Sequence, residues 1–358
     1  MRVGIRVDSS DLIGIGHLNR SITLANEFKK AGNKVFFFTS NLKGNRDKLI
    51  KQNGFDSFKM NKNEINQNDF KKNFLIKDAI KIVKQIQKKK LDLFIIDNYL
   101  IDEKWEKIVS KHCKIALIED YLQRKTYCNY LISYHLSKTR NISKLIQNKN
   151  CLRLTDPQYT IIKKKENYNK TKNNYNNKIL IYMGGADNKN ISIKLAKIFS
   201  DKIYNKLQFS LLTNKGKSNR INKIIGYKKN FHKIIKKQKN LYSLARKHKY
   251  IISNMGLSMY EFAHSASNIV LIPQSSIHHK ISKGLRDFKI FKIISSPKKK
   301  HFKNDFSNLR EKKKTINERA TIYDGAGAKR LVDFFCKKFY KFKLIRSKTS
   351  DKYFLYNL

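Results

Sequence analysis

No apolar run in this chain approaches the ~18 residues that a membrane-crossing helix requires, so no membrane span is expected. The first residues read at once as a strand, without the charged-then-apolar pattern of a signal peptide. Cysteine is sparse: Cys113, Cys128, Cys151 and Cys336 lie far apart and show no paired metal-ligand spacing. They suit reduced, mostly buried thiols, and a cytoplasmic location is expected. Acidic residues are scarce as well, 27 against 78 Lys and Arg, leaving a formal charge of +51. Such a charge attracts polyanions. Lysine and asparagine, however, are spread through every region, including the tract KKKENYNKTKNNYNNK, and proline numbers only 3. The basic residues are a compositional bias rather than a stripe, and no specific nucleic-acid partner is expected. Their field still favours small anionic substrates. Carboxylates nowhere cluster as a metal-bound hydroxide would demand, and the adjacent His278 and His279 lack further ligands. Neither a metal nor another cofactor is expected.

What the chain does have is alternation. The apolar runs MRVGIRV (1–7), KVFFF (34–38), LDLFIID (91–97) and KIALIED (114–120) read as strands. Between them, FLIKDAIKIVKQIQKKK and DEKWEKIVSKHC read as helices, which implies a parallel sheet covered on both faces. A polar tract over 161–177 reads as a linker. A second series follows in KILIYMGG (178–185), LQFSLLT (207–213), KYIISNMG (249–256) and NIVLIPQ (268–274). The expectation is an α/β protein of two Rossmann-like domains, 1–160 and 178–345, with a cleft between them. Ligands of such sheets bind at the carboxyl ends of the strands.

Four strand ends carry candidate residues. In DLIGIGHLNR (11–20) the chain passes from a strand to a helix that Gly32 can end, and Gly14 and Gly16 allow a tight turn beside His17 and Arg20. The free N–H groups of such a turn suit an anion. His17 at the helix start reads either as a cap or as a general base, because the positive end of the dipole disfavours imidazolium. In IIDNYLIDEKWE, Asp97 and Tyr99 leave a strand; Tyr99 reads as a packed aromatic or as a hydroxyl that orients substrate. IYMGGAD contributes Gly184 and Gly185, and SNMGLSMYEF contributes Gly256, Ser258 and Glu261. The Glu261 carboxylate can accept two hydrogen bonds, which suits a pair of hydroxyls.

Taken in order, these segments resemble the UDP-2,4-diacetamido-2,4,6-trideoxy-β-L-altropyranose hydrolase family of pseudaminic acid biosynthesis, over about residues 1–340. The family's Arg-x-Asp, then Gly-x-Gly-His and Arg, matches Arg6, Asp8, Gly14, Gly16, His17 and Arg20. Its Asp-x-Tyr and Trp-Glu match Asp97, Tyr99, Trp105 and Glu106; CLRLTDPQYTIIKKKE, GGADNKN, GLSMYE and YDGAGAKR are similar to later segments. The resemblance implies a GT-B fold related to MurG-type glycosyltransferases, with UDP held mainly by the second domain. It implies hydrolysis of a UDP-linked diacetamido-trideoxy sugar by water attack at C1 with inversion. His17 and Tyr99 would be catalytic. Gly14, Gly16, Arg20, Asp97, Gly184, Gly185, Gly256, Ser258 and Glu261 would bind substrate, without a metal, in a monomer. Two segments depart from the pattern. PQSSIHHKISKG stands where the family has Asn-Gln, and Glu119-Asp120 where it has Asp-Asp. The first departure leaves open the alternative of an inverting glycosyltransferase using a UDP-sugar donor for surface polysaccharide, as in the spore-coat relatives of the family.

Overall fold

The apolar runs become two parallel sheets. The structure, a computed structural model, describes residues 1–65, 72–120, 123–134, 142–163, 177–185, 187–213, 215–226, 230–236, 238, 240–263, 268–287, 291–298, 302 and 321–339. Residues 164–176 of the expected linker and 340–345 of the expected second domain lie outside these.

The first sheet holds β1 (Arg2–Val7), β2 (Lys34–Thr39), β3 (Asp56–Lys59), β4 (Leu93–Asp97), β5 (Lys114–Ile118), β6 (Tyr130–Ile132) and β7 (Leu152–Leu154). Their spatial order is 3-2-1-4-5-6-7, and every neighbouring pair is parallel. The second holds β8 (Lys178–Tyr182), β9 (Gln208–Leu212), β10 (Phe231–Ile235), β11 (Tyr250–Asn254), β12 (Asn268–Ile272) and β13 (Lys292–Ile293), in order 10-9-8-11-12-13 and again parallel. Both are doubly wound α/β sheets, and both reverse their winding beside the first strand, between β1 and β4 and between β8 and β11.

The central strands are apolar on both faces because both are covered. Ile95 joins a core shared by the two halves of the chain, while its neighbours Phe94 and Ile96 join a separate core with Trp105. Ile251 and Ile252 divide in the same way, with Ile252 in a core confined to the second half. This is the period-2 alternation of a strand. The shared core runs from Ile5 and Leu18 to Leu180, Met259 and Tyr260, so the halves are packed against each other by apolar surface.

Helix α1 (Gly16–Lys30) follows β1 and buries Leu18, Ile22, Leu24, Ala25 and Phe28 on one face. It ends as its sequence predicts: Lys29 and Lys30 occupy the last turn, and Gly32 takes the left-handed conformation just beyond. The other α-helices among the described residues are α2 (Lys48–Gln52), α3 (Lys72–Lys89), α4 (Glu103–Ser110), α5 (Ile191–Phe199), α6 (Lys215–Ile225), α7 (Leu241–Ala245), α8 (Ser258–Ala263), α9 (Ser276–Asp287) and α10 (Gly327–Phe339). Helix α10 falls within the stretch 178–345, but its apolar side chains pack on the first half. Phe335 stacks on Phe28 with ring centroids 6.2 Å apart and meets Tyr130 edge-on at 5.2 Å. Among the described residues no helix is long and apolar enough to cross a membrane.

Candidate active site

The candidate residues gather where the two sheets reverse. His17 follows β1 and Asp97 ends β4, so 80 positions of sequence collapse to one hydrogen bond, His17 Nδ1 to Asp97 Oδ1 at 2.6 Å. Arg20 Nη2 also lies 3.0 Å from Nδ1, but the contact with Asp97, which only accepts, is the shorter; it assigns the proton to Nδ1 and leaves the lone pair of the neutral tautomer on Nε2. No described residue is bonded to Nε2. The opposite side of Asp97 is gripped by Arg20, one turn further along α1, with Nε 2.7 Å from Oδ2 and Nη2 2.5 Å from Oδ1. Ser21 Oγ also donates to Oδ2 at 3.0 Å. Burial alone works to raise the Asp97 carboxyl, but Arg20 and His17 hold it well below the usual carboxylate range.

Arg20 and Asp97 are both fully buried and meet each other behind His17. The helical spacing explains this. His17 and Arg20 are three residues apart on one face of α1, so a single carboxylate at the end of β4 reaches both. Arg20 also donates from Nη1 to Asp120 at 2.7 Å and to the Tyr134 hydroxyl at 2.6 Å. Burial opposes its charge, but Asp120 and Asp97 keep the guanidinium cationic. Tyr99 is close to His17, edge-on at 4.5 Å between ring centroids, and its hydroxyl donates to Asp120. Asp120 thus supports both Arg20 and Tyr99. Tyr134 carried no signal in the sequence, and Asp120 had only its place beside Glu119.

The other motif residues of the first half make bonds within it. Arg6 donates to Asp8 at 2.7 Å and to Ser40 at 2.6 Å, and Asp8 accepts from the Ser40 N–H at 2.6 Å and from Asn98 at 2.7 Å. Asp8 thereby ties the ends of β1, β2 and β4 beneath the His17 loop. The Trp105 indole donates to Asp78 at 2.8 Å. Buried Glu106 accepts from Arg124, Thr126 and the Tyr127 N–H at 2.7, 2.8 and 2.7 Å. Gly14 occupies the turn in left-handed conformation with its N–H on the Ser10 carbonyl at 2.8 Å, and Gly16 is the first residue of α1.

The second half faces this loop with Leu257, which lies 3.5 Å from where a Gly16 Cβ would stand. Here Asn254, at the end of β11, organises the turns. A side chain at Gly184, whose φ is +84°, would stand 2.8 Å from Asn254 Nδ2, so glycine is required there on two counts. Ser258 Oγ donates to Asn254 Oδ1 at 3.3 Å, and Gly256 packs against the same amide. Gly185 faces open space. Asp187 of the GGAD segment caps α5, accepting from the N–H groups of Ile191 and Ser192 at 2.9 and 3.2 Å. Glu261, on α8, accepts no hydrogen bond from any described residue. Burial pushes its carboxyl up to about 7, against a weaker opposing pull from Lys163. Burial and Glu261 likewise push Tyr182 up to about 12. At the start of α9, His278 Nδ1 accepts from the Gln274 N–H at 3.2 Å, and Gln274 Nε2 donates to the Met183 carbonyl at 3.3 Å. The segment that departs from the family's Asn-Gln is therefore tied to the end of β8.

Two facing Rossmann-like domains with the site between their switch points define the GT-B fold. The solved structures agree. MurG of Acinetobacter baumannii superposes with a TM-score of 0.64 over 94% of this chain and 99% of its own, at 12% identity. The MnaA–UDP co-structure of S. aureus gives 0.65 over 97% and 100%, at 11% identity. Identities this low show the fold alone. By sequence, the chain is 27% identical to the UDP-2,4-diacetamido-2,4,6-trideoxy-beta-L-altropyranose hydrolase of Campylobacter jejuni over 201 residues, 55% of this chain and 65% of that protein. It is 30% identical to an uncharacterized protein of Methanocaldococcus jannaschii over 207 residues, 54% of this chain and 39% of that one. The chain spans less than two thirds of the length of either relative. No family model matches it.

Proposed function

We propose that the protein hydrolyses a UDP-linked sugar, with water attacking C1 and UDP leaving. The observation that carries this is the His17–Asp97 pair at the mouth of the first sheet, which orients an imidazole and leaves Nε2 free of the described residues. In the reaction His17 Nε2 takes a proton from water as its oxygen bonds to C1, and the C1–O bond to UDP breaks on the opposite face with inversion. Asp97, held anionic by Arg20, stabilises the imidazolium that forms; the arrangement is that of a base oriented by a buried carboxylate. Tyr99 borders the imidazole and orients the sugar or the water. The N–H groups of the turns at Gly184, Gly185 and Gly256 receive the charge that builds on the diphosphate, which requires no metal.

Glu261 supports the nucleotide half of the reading. A half-buried carboxylate without a donor among the described residues suits two ribose hydroxyls, and the bound UDP named in the MnaA co-structure is consistent with such a site in this fold. The printed name of the C. jejuni relative supports a diacetamido-trideoxy sugar as substrate and pseudaminic-acid-like synthesis as the setting.

The test is UDP release from a panel of UDP-diacetamido sugars with no acceptor present, run in ¹⁸O-water. Label on the anomeric oxygen of the sugar is expected. Label in the UDP phosphate rejects attack at C1. Slow release that rises many-fold when a sugar acceptor is added replaces the hydrolase by a transferase.

A further inference from the structure

Helix α8 carries Glu261, and its preceding residue touches the machinery behind His17. Tyr260 is fully buried and meets Tyr134 edge-on, with ring centroids 5.6 Å apart and planes at 85°. Tyr134, also fully buried, is the residue whose hydroxyl accepts from Arg20 Nη1 at 2.6 Å. Arg20 in turn holds Asp97, and Asp97 holds His17. A continuous chain of contacts thus runs from the second domain to the imidazole: Tyr260, Tyr134, Arg20, Asp97, His17. A second approach of the halves beside this loop, Leu257 to Gly16, meets a residue with no side chain to transmit a displacement. Tyr260 also packs against Tyr323, with ring centroids 4.9 Å apart.

We propose that Tyr134 is a positioning residue through which nucleotide occupancy at α8 sets the orientation of His17. This rests on the reading of Glu261 as a nucleotide contact. When a ribose engages Glu261, α8 is drawn toward the ligand, and the adjacent Tyr260 presses on Tyr134. The Tyr134 hydroxyl then fixes Arg20 Nη1, which leaves Nε and Nη2 aligned on Asp97. The base is held in its working orientation once the leaving group is seated.

The experiment reads His17 directly, by the imidazole ¹⁵N resonances of ¹⁵N-histidine protein, with His17 assigned through His17→Asn. In the wild type, added UDP is expected to shift the His17 signals. In Tyr134→Phe, which keeps the ring and removes the hydroxyl, the shift is expected to fall below half, while the UDP Kd from calorimetry stays within about twofold. Turnover should show the matching split, kcat falling about tenfold with KM little changed, the scale for losing one hydrogen bond to a charged group. Tyr260→Leu approaches from the other domain and should lose the response too, whereas Tyr260→Phe, which keeps the ring contact, should retain it. UDP binding without a His17 response in the wild type, or a full response in Tyr134→Phe or in Tyr260→Leu, overturns the coupling alone. No UDP binding to the wild type overturns the nucleotide reading of Glu261, and the coupling with it.

Discussion

The two halves of the site are built on opposite principles. Around His17 every charge is answered: Asp97 has three donors besides the imidazole or shared with it, Arg20 has two carboxylates and a hydroxyl, and Asp120 serves Arg20 and Tyr99. Around Glu261 the turns are shaped by one amide, Asn254, and the half-buried carboxylate has no donor among the described residues. The first half carries its own partners, and nucleotide binding acts on bonds already made. The second leaves its carboxylate for a ligand that brings hydroxyl donors. Loss of the base and loss of nucleotide affinity should therefore separate by mutation.

The largest separation is expected from His17→Asn. Turnover should fall by about 10²–10⁴, the scale for a positioned general base, with UDP affinity unchanged by calorimetry. Near-normal kcat in the folded variant would remove His17 from the chemistry. Next in size is Arg20→Met, which strands Asp97 and Asp120 in the interior. Denaturation should show a loss of about 3–5 kcal/mol, as for one partner taken from a buried ion pair, whereas Glu261→Gln should be neutral or stabilising at pH 8. A loss of similar size in both variants would erase the contrast between the halves.

Smaller is the effect of Glu261→Ala on UDP binding, expected at about 1.5–3 kcal/mol for hydrogen bonds to a charged group. Unchanged UDP affinity would sink the ribose contact. Smallest is a pH effect whose sign follows from the raised Glu261 carboxyl. With its folded value at about 7 against an ordinary 4.5, the native state holds more protons than the unfolded state between those limits. Its contribution to stability is present at low pH and fades as pH rises through that window. Ligand hydroxyls favour the ionised form, so affinity for UDP-glucose, whose diphosphate does not titrate there, should rise about tenfold from pH 6 to pH 8. Glu261→Gln should flatten that rise; an equal rise in the variant would assign it to another group.

Much of this architecture was legible from local pattern. The strands at the centres of both sheets are largely apolar, and the expected runs at 1–7, 91–97, 178–185 and 249–256 each contain an observed strand. The peripheral strands were not legible, for a physical reason. Asp56–Lys59 is polar at both ends, Leu152–Leu154 is exposed at two of its three residues, and Lys292–Ile293 is two residues long. Edge strands bury too little to impose a pattern. The site divided similarly. Glycines beside a histidine announce a strand-to-helix turn, but Asp97 as the partner of His17, and Arg20 as the partner of Asp97, depend on the strand order that sets β1 next to β4. Read singly, both residues suggested contact with a ligand. Tyr134 and Tyr260 were beyond reach, since a ring contact between residues of different domains leaves no spacing to read.

The return of α10 to the first half has a mechanical consequence. The chain leaves that half through residues 157–163 and comes back through 324–330, and these two passages touch. Gly327 is so close that a Cβ would stand 2.3 Å from the Thr160 carbonyl oxygen, and Arg330 joins them by donating to the Gln158 carbonyl at 3.0 Å. Two ropes laid side by side make one seam, so a side chain at position 327 would be driven into the Thr160 backbone and would part the two passages where they meet.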